Sequence, residues 1–157
     1  MKLFIGIDPG KKGGIGVITE TGKLVDYCMM PETRHGVLCF LRKFHSTHTE
    51  SQHIAIIESV HSMPKQGVRS VFTFGKGCGE LLGICTALEF TIIEPTPQAW
   101  KKAMLAGTDR SKEASIKICE NTFPKVQLIP DGCRKPSDGI AEAILLAEYG
   151  RRLIGLI

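Results

Sequence analysis

The chain is predicted to be an α/β protein built on a mixed five-stranded sheet flanked by helices. Three observations carry this. The chain opens with three short β-rich runs separated by turn residues. Helical and strand-like segments then alternate, so later strands return through crossovers. The apolar run Ile54–Ile57 has no polar alternation and reads as a strand buried on both faces, which requires a layer on each side of the sheet.

Taken in order, Leu3–Asp8, Gly14–Thr19 and Leu24–Met30 are separated by Gly/Lys and Thr-Gly turns and form an antiparallel meander. His35–His45 places Val37, Leu38, Leu41 and Phe44 at helical spacing. His53–Glu58 is the buried strand. The polar segment His61–Arg69, with its Pro and Gly, leads into a helix through about Ala87, followed by a strand at Phe90–Glu94. Helices are expected at Pro97–Leu105, with proline in the opening turn, at Ser111–Phe123, and at Asp138–Leu153, capped by Ser137. Gly75, Gly77, Gly79 and Gly83 fall inside the second helix, where each costs up to about 1 kcal/mol against alanine. Close helix packing is the expected reason for them. Phe72 and Phe74 lie just before them and are expected to pack in the core.

A chain of 157 residues fits one domain, residues 1–157, with a substantial core. Hydrophobic residues make up 43%, and no apolar run reaches the roughly 18 residues of a membrane span, so no membrane partner is expected. The net charge of +4 permits an anionic partner such as nucleic acid without requiring one. Cys28, Cys39, Cys78, Cys85, Cys119 and Cys133 form no C-x-x-C pair, so reduced thiols and a cytoplasmic location are expected, with no targeting segment at the first strand. Gly75-x-Gly77-x-Gly79 lacks the strand-turn-helix unit of a dinucleotide loop, and no small-molecule cofactor is expected.

The chemistry concentrates in acids. Asp8 and Glu58 each end an apolar β-branched run, and Asp138 and Glu142 are four apart, on one face of the last helix. Asp8-Pro9-Gly10 is also a turn former, Glu58 could be a solvated strand end, and Asp138 could simply favour a helix N-terminus. An acid ending a doubly buried strand, and a second helical acid beside Ile140, Ala143 and Ile144, point instead to a site for divalent metal and phosphoryl chemistry. Basic residues follow the acids: Lys11 and Lys12, Lys65 and Arg69, Lys76, then Lys101, Lys102, Arg110 and Lys112. They suit phosphate neutralisation, or solvated helix faces.

The segments Ile5-Gly6-Ile7-Asp8-Pro9-Gly10, Ile57-Glu58, Pro95-Thr96-Pro97-Gln98-Ala99-Trp100-Lys101-Lys102 and Asp138-Gly139-Ile140-Ala141-Glu142-Ala143 together resemble the ribonuclease H-like superfamily. More narrowly, they resemble the RuvC family of Holliday junction resolvases, in particular its compact phage-type members. The resemblance covers nearly the whole chain and implies a homodimer that resolves four-way DNA junctions by paired symmetric nicks. It implies two Mg²⁺ per site, replaceable by Mn²⁺, held by Asp8, which would bridge both, and by Glu58, Asp138 and Glu142. It also implies phosphate contacts from Lys101 or Lys102 and from Lys112, stacking at the junction centre by His61, and a dimer interface on the glycine-containing helix. Phe72 and Phe74, beside Arg69 and Lys76, could also enter the junction.

The chain departs from the family pattern in its last acid, Glu142, where aspartate is commoner. Many relatives carry a basic residue or His before the pair; here Lys135 precedes it, and Asp131, further upstream, is a loop residue that could substitute as a ligand. Three other readings stand beside the resolvase. Asp8–Gly14 also resembles the phosphate loop of sugar kinases and actin-like ATPases, whose architecture needs two such domains. A YqgF-like RNA-processing nuclease would keep the acids, and a catalytically silent nucleic-acid-binding module would keep the fold.

Overall fold

The computed structural model describes residues 1–48, 51–60 and 67–155. Strands β1 (Lys2–Asp8), β2 (Gly14–Thr19) and β3 (Leu24–Met29) are followed by α1 (Arg34–Thr47), β4 (Gln52–Ile57), α2 (Val68–Ala87), β5 (Thr91–Ile93), α3 (Pro97–Met104), α4 (Lys112–Thr122) and α5 (Asp138–Gly155). The sheet order is β3-β2-β1-β4-β5. The first three strands form the antiparallel meander, while β4 and β5 run parallel to β1, as crossovers through α1 and α2 demand. The mixed five-stranded sheet read from the sequence is thus the observed one. Among the described residues, no helix is long and apolar enough to cross a membrane.

Side chains on a strand alternate between faces, and the two faces hold separate cores. Leu3, Ile5, Ile7, Ala55 and Ile57 pack with Val37 and Leu41 of α1 and Leu81 and Cys85 of α2. Phe4, Ile54 and Ile56 pack with Trp100 of α3, Cys119 of α4 and the apolar side of α5. The doubly buried reading of β4 follows from this division. Asp8 shares the parity of Phe4, and Glu58 that of Ile56, so both acids fall on the face covered by α3, α4 and α5.

That face is flattened by glycine. Gly6 pairs with Gly16, and Asp8 with Gly14, across β1 and β2. A β-carbon at Gly6 would land on the Ala143 carbonyl oxygen and the Ala147 amide of α5, and one at Gly16 would come within 2.9 Å of the Ile144 backbone. Helix α5 therefore lies against the strand backbone itself. Its own Gly139 abuts the Lys12 carbonyl, so the first turn of α5 rests on the loop that follows Asp8. The Ser137 hydroxyl accepts the Ile140 amide at 3.2 Å and caps the helix as expected.

Helix α2 corrects two expectations. A β-carbon at Gly75, Gly77, Gly79 or Gly83 would meet nothing within 4 Å, so these glycines serve no close packing within the described chain. Phe72 is 72% exposed and Phe74 38% exposed, rather than buried in the core. The buried residues of α2, Leu81 and Cys85, both lie in its C-terminal half, and its N-terminal half has none.

Candidate active site

Asp8 lies at the end of β1, and the β1–β4 pairing continues one step further through the Glu58 amide, which donates to the Ile7 carbonyl at 3.2 Å. This sets the two acids side by side at one end of the sheet. The first two turns of α5 bring Asp138 and Glu142 to the same end. An open cleft of about 440 Å³ is lined there by Asp8, Lys11, Lys12, Lys101, Lys112, Asp138 and Glu142, with Phe74 at its edge.

The electrostatics record how close the acids stand. The Asp8 carboxyl is pushed up to about 8, first by burial and then by the charges of Glu142 and Glu58, against the opposing Lys101 ammonium. Burial also raises Glu58, opposed chiefly by the Trp100 indole, whose Nε1–H donates to Glu58 Oε1 at 2.8 Å. Two lysines balance the α5 pair. Lys101 Nζ donates to Glu142 Oε1 at 2.9 Å and lies 5.2 Å from the centre of the Trp100 ring. Lys112 Nζ meets Asp138 Oδ2 at 2.6 Å, which raises the Lys112 ammonium above its ordinary range. The Ser115 hydroxyl, on α4, donates to Glu142 Oε1 at 3.0 Å.

With the lysines in these positions, no three acids, histidines or cysteines among the described residues are close enough to hold an ion. The donor set nevertheless fits a hard cation. It consists of carboxylate oxygens, burial and then the charges of Glu142 and Glu58 raise Asp8, and the ammonium groups of Lys101 and Lys112 supply positive charge at Glu142 and Asp138.

The sequence-derived candidates divide accordingly. Asp8, Asp138, Glu142, Lys11, Lys12, Lys101 and Lys112 line the cleft, and Glu58 stands beside it, coupled to Asp8. Lys102 is exposed and lies outside the lining. Arg69 and Lys76 line a neighbouring groove between α2 and the N-terminus of α1, which Lys11, Lys12 and Phe74 join to the cleft. Asp131 and Lys135 are exposed and outside the cleft, so Glu142 is the acid brought to Asp8. His61 and Lys65 lie outside the described residues. Sequence reasoning gave no role to Ser115 or to the Trp100 indole. The only signal for Trp100 was its place in Pro95–Lys102; for Ser115 it was a small polar residue on the inner face of an otherwise apolar helix turn.

The site's dependence on Trp100 is measurable. Trp100→Phe removes a hydrogen bond to a charged group and leaves a gap at a fully buried position, and should cost about 2–3 kcal/mol of stability. It also removes the interaction that opposes the rise of Glu58, so any activity needing ionised Glu58 should shift to higher pH. A thermal melt and a pH–rate profile check both; an unshifted profile would show that the indole does not tune Glu58.

The sequence matches no protein-family model and no curated protein sequence. Solved structures do match. The chain superposes on the Thermus thermophilus RuvC structure with a TM-score of 0.62 at 19% identity, covering 96% of each chain. The chain has the RuvC fold. A second structure, T. thermophilus RuvC in complex with a Holliday junction substrate, matches with a TM-score of 0.65 at 16% identity, covering 94% of this chain and 91% of that one.

Proposed function

We propose that this chain is a single-domain, metal-dependent, structure-selective DNA endonuclease that resolves four-way junctions by paired nicks. The observation that carries the reading is the gathering of four acids from β1, the end of β4 and the first two turns of α5 at a lysine-lined cleft, on a fold shared with a RuvC solved on a Holliday junction substrate.

In this reading Asp8, Glu58, Asp138 and Glu142 hold divalent metal, with Mg²⁺ the natural ion and Mn²⁺ a substitute. Bound there, metal supplies charge neutralisation at the scissile phosphate, a more acidic attacking water and stabilisation of the leaving oxygen. The chain's own groups do the rest. Trp100 holds Glu58 in one orientation and favours its ionised form. Lys101 and Lys112 balance the acids in the free protein and are placed to exchange a carboxylate for a phosphate when DNA enters. Lys11 and Lys12 at the cleft rim, then Arg69 and Lys76 in the adjoining groove, mark a basic path for the strand beyond the scissile position.

A homodimer would give the paired nicks their symmetry. Its support is the outward side of α2, where Val68, 87% exposed, and Phe72 adjoin open space at Gly75, Gly79 and Gly83, four residues apart on one stripe. Gly79→Arg should leave the helix and the fold intact, because among the described residues nothing lies within 4 Å of a β-carbon there, while converting a dimer into a monomer in sedimentation. If the wild-type chain sediments as a monomer throughout, the dimer reading fails.

The deciding experiment incubates the protein with labelled four-way junction, flap, duplex and RNA–DNA hybrid, with Mg²⁺ or with EDTA, and resolves the products on a denaturing gel. Symmetric, Mg²⁺-dependent nicks in the junction are expected. Cleavage of RNA or hybrid instead would assign an RNA-processing nuclease, and binding without cleavage a silent DNA-binding module.

A further inference from the structure

We propose that Ser115 is a positioning residue for Glu142, fixing one oxygen of this longer acid so that the other opens on the metal-binding cleft. The inference rests on the metal-dependent reading above and names the residue that lets a glutamate serve as its last ligand. Helix α4 reads the two acids of α5 with one face. Lys112 and Ser115, three apart on α4, meet Asp138 and Glu142, four apart on α5, at 2.6 and 3.0 Å. Both the hydroxyl of Ser115 and the ammonium of Lys101 converge on Oε1 of Glu142. Among the described residues Oε2 accepts nothing, and no buried side-chain oxygen is left without a partner, so Oε2 faces the cleft that Glu142 lines.

Ser115 has no exposed surface, and its single hydroxyl hydrogen has two acceptors in reach, the Ser111 carbonyl at 3.3 Å and the carboxylate at 3.0 Å. The nearer, charged acceptor forms the stronger bond. A glutamate has one more rotatable bond than an aspartate and loses more freedom when held in one geometry. Lys101 is partly exposed and, in the proposed function, turns to the phosphate when DNA binds. The buried serine is then the hold that stays on Glu142.

The test is a calorimetric Mn²⁺ titration of the wild type, Ser115→Ala, Glu142→Asp and the double variant, each checked by thermal melt, with junction cleavage measured alongside. Ser115→Ala is expected to weaken Mn²⁺ binding about 10-fold and to lower kcat with KM for DNA unchanged. Glu142→Asp withdraws the carboxylate from the hydroxyl, so adding Ser115→Ala to it should cost nothing more. Equal losses from Ser115→Ala in both backgrounds would make Ser115 a packing residue and overturn the inference. So would unchanged Mn²⁺ affinity in Ser115→Ala beside a wild type that binds the ion. A wild type that binds no Mn²⁺ would overturn the metal reading itself, and this inference with it.

Discussion

Asp8→Asn is expected to reduce cleavage by roughly three orders of magnitude or more while making the metal-free protein more stable at pH 8. The two effects have one cause. The Asp8 carboxyl is pushed up to about 8 by burial and by the neighbouring charges of Glu142 and Glu58, against an ordinary value of 3.8. A carboxyl raised on folding favours the folded state when protonated. Its contribution is fully present below the ordinary carboxylate range and is lost as the pH rises through about 8. One pKa unit corresponds to about 1.4 kcal/mol, so even half of this shift withdraws roughly 3 kcal/mol by pH 8. Asparagine cannot ionise and escapes the loss. In EDTA, the wild-type melting temperature should fall between pH 4 and pH 8 while that of Asp8→Asn falls much less, leaving a gap of about 6–12 °C at the upper end. Mg²⁺ should then raise the wild type and barely move the variant. Parallel melting curves across this pH range would show that Asp8 is not held in the environment described.

The second large effect belongs to a residue with no chemistry. Gly6→Ala places a methyl group on the Ala143 carbonyl and the Ala147 amide, backbone atoms that cannot turn aside as a side chain can. Helix α5 must lift from β1, at a cost of about 3 kcal/mol or more, which corresponds to a fall in melting temperature of about 6–12 °C. Lifting α5 also carries Asp138 and Glu142 away from Asp8. A misplacement of about 1 Å costs on the order of 100-fold in rate, so cleavage should fall even at temperatures where the variant remains folded. A melting temperature equal to the wild type would refute the backbone contact. Gly75→Ala, whose added methyl meets nothing within 4 Å among the described residues, is the matched control.

The contrast between Gly6 and Gly75 also marks what a linear sequence conveys. Glycine density drew attention to α2, yet the close approaches are made by isolated glycines in β1 and β2, because a contact depends on which element lies opposite and not on how many glycines share a segment. The acids were legible for the opposite reason. Strand ends and helical spacing of four are local patterns, and the observed strand order β3-β2-β1-β4-β5 sets Asp8 and Glu58 side by side at the end of the sheet that Asp138 and Glu142 reach. Lys101 and Lys112 were legible as basic residues near the site, but their pairing with Glu142 and Asp138 depends on how α3 and α4 pack on α5. The exposure of Phe72 and Phe74 escaped the same reading. Apolar periodicity marks a face to be covered without saying that the cover comes from the same chain.

Helix α5 reaches across β1 and β2, so residues 130 or more positions apart must meet before Asp8 has Asp138 and Glu142 beside it. Contacts so distant in sequence form late, after the shorter loops have closed. On the ribosome, β1, β4 and the intervening helix emerge with Asp8 and Glu58 but without half of the acid set. The nascent chain therefore cannot assemble the full site until its final helix has been made and docked.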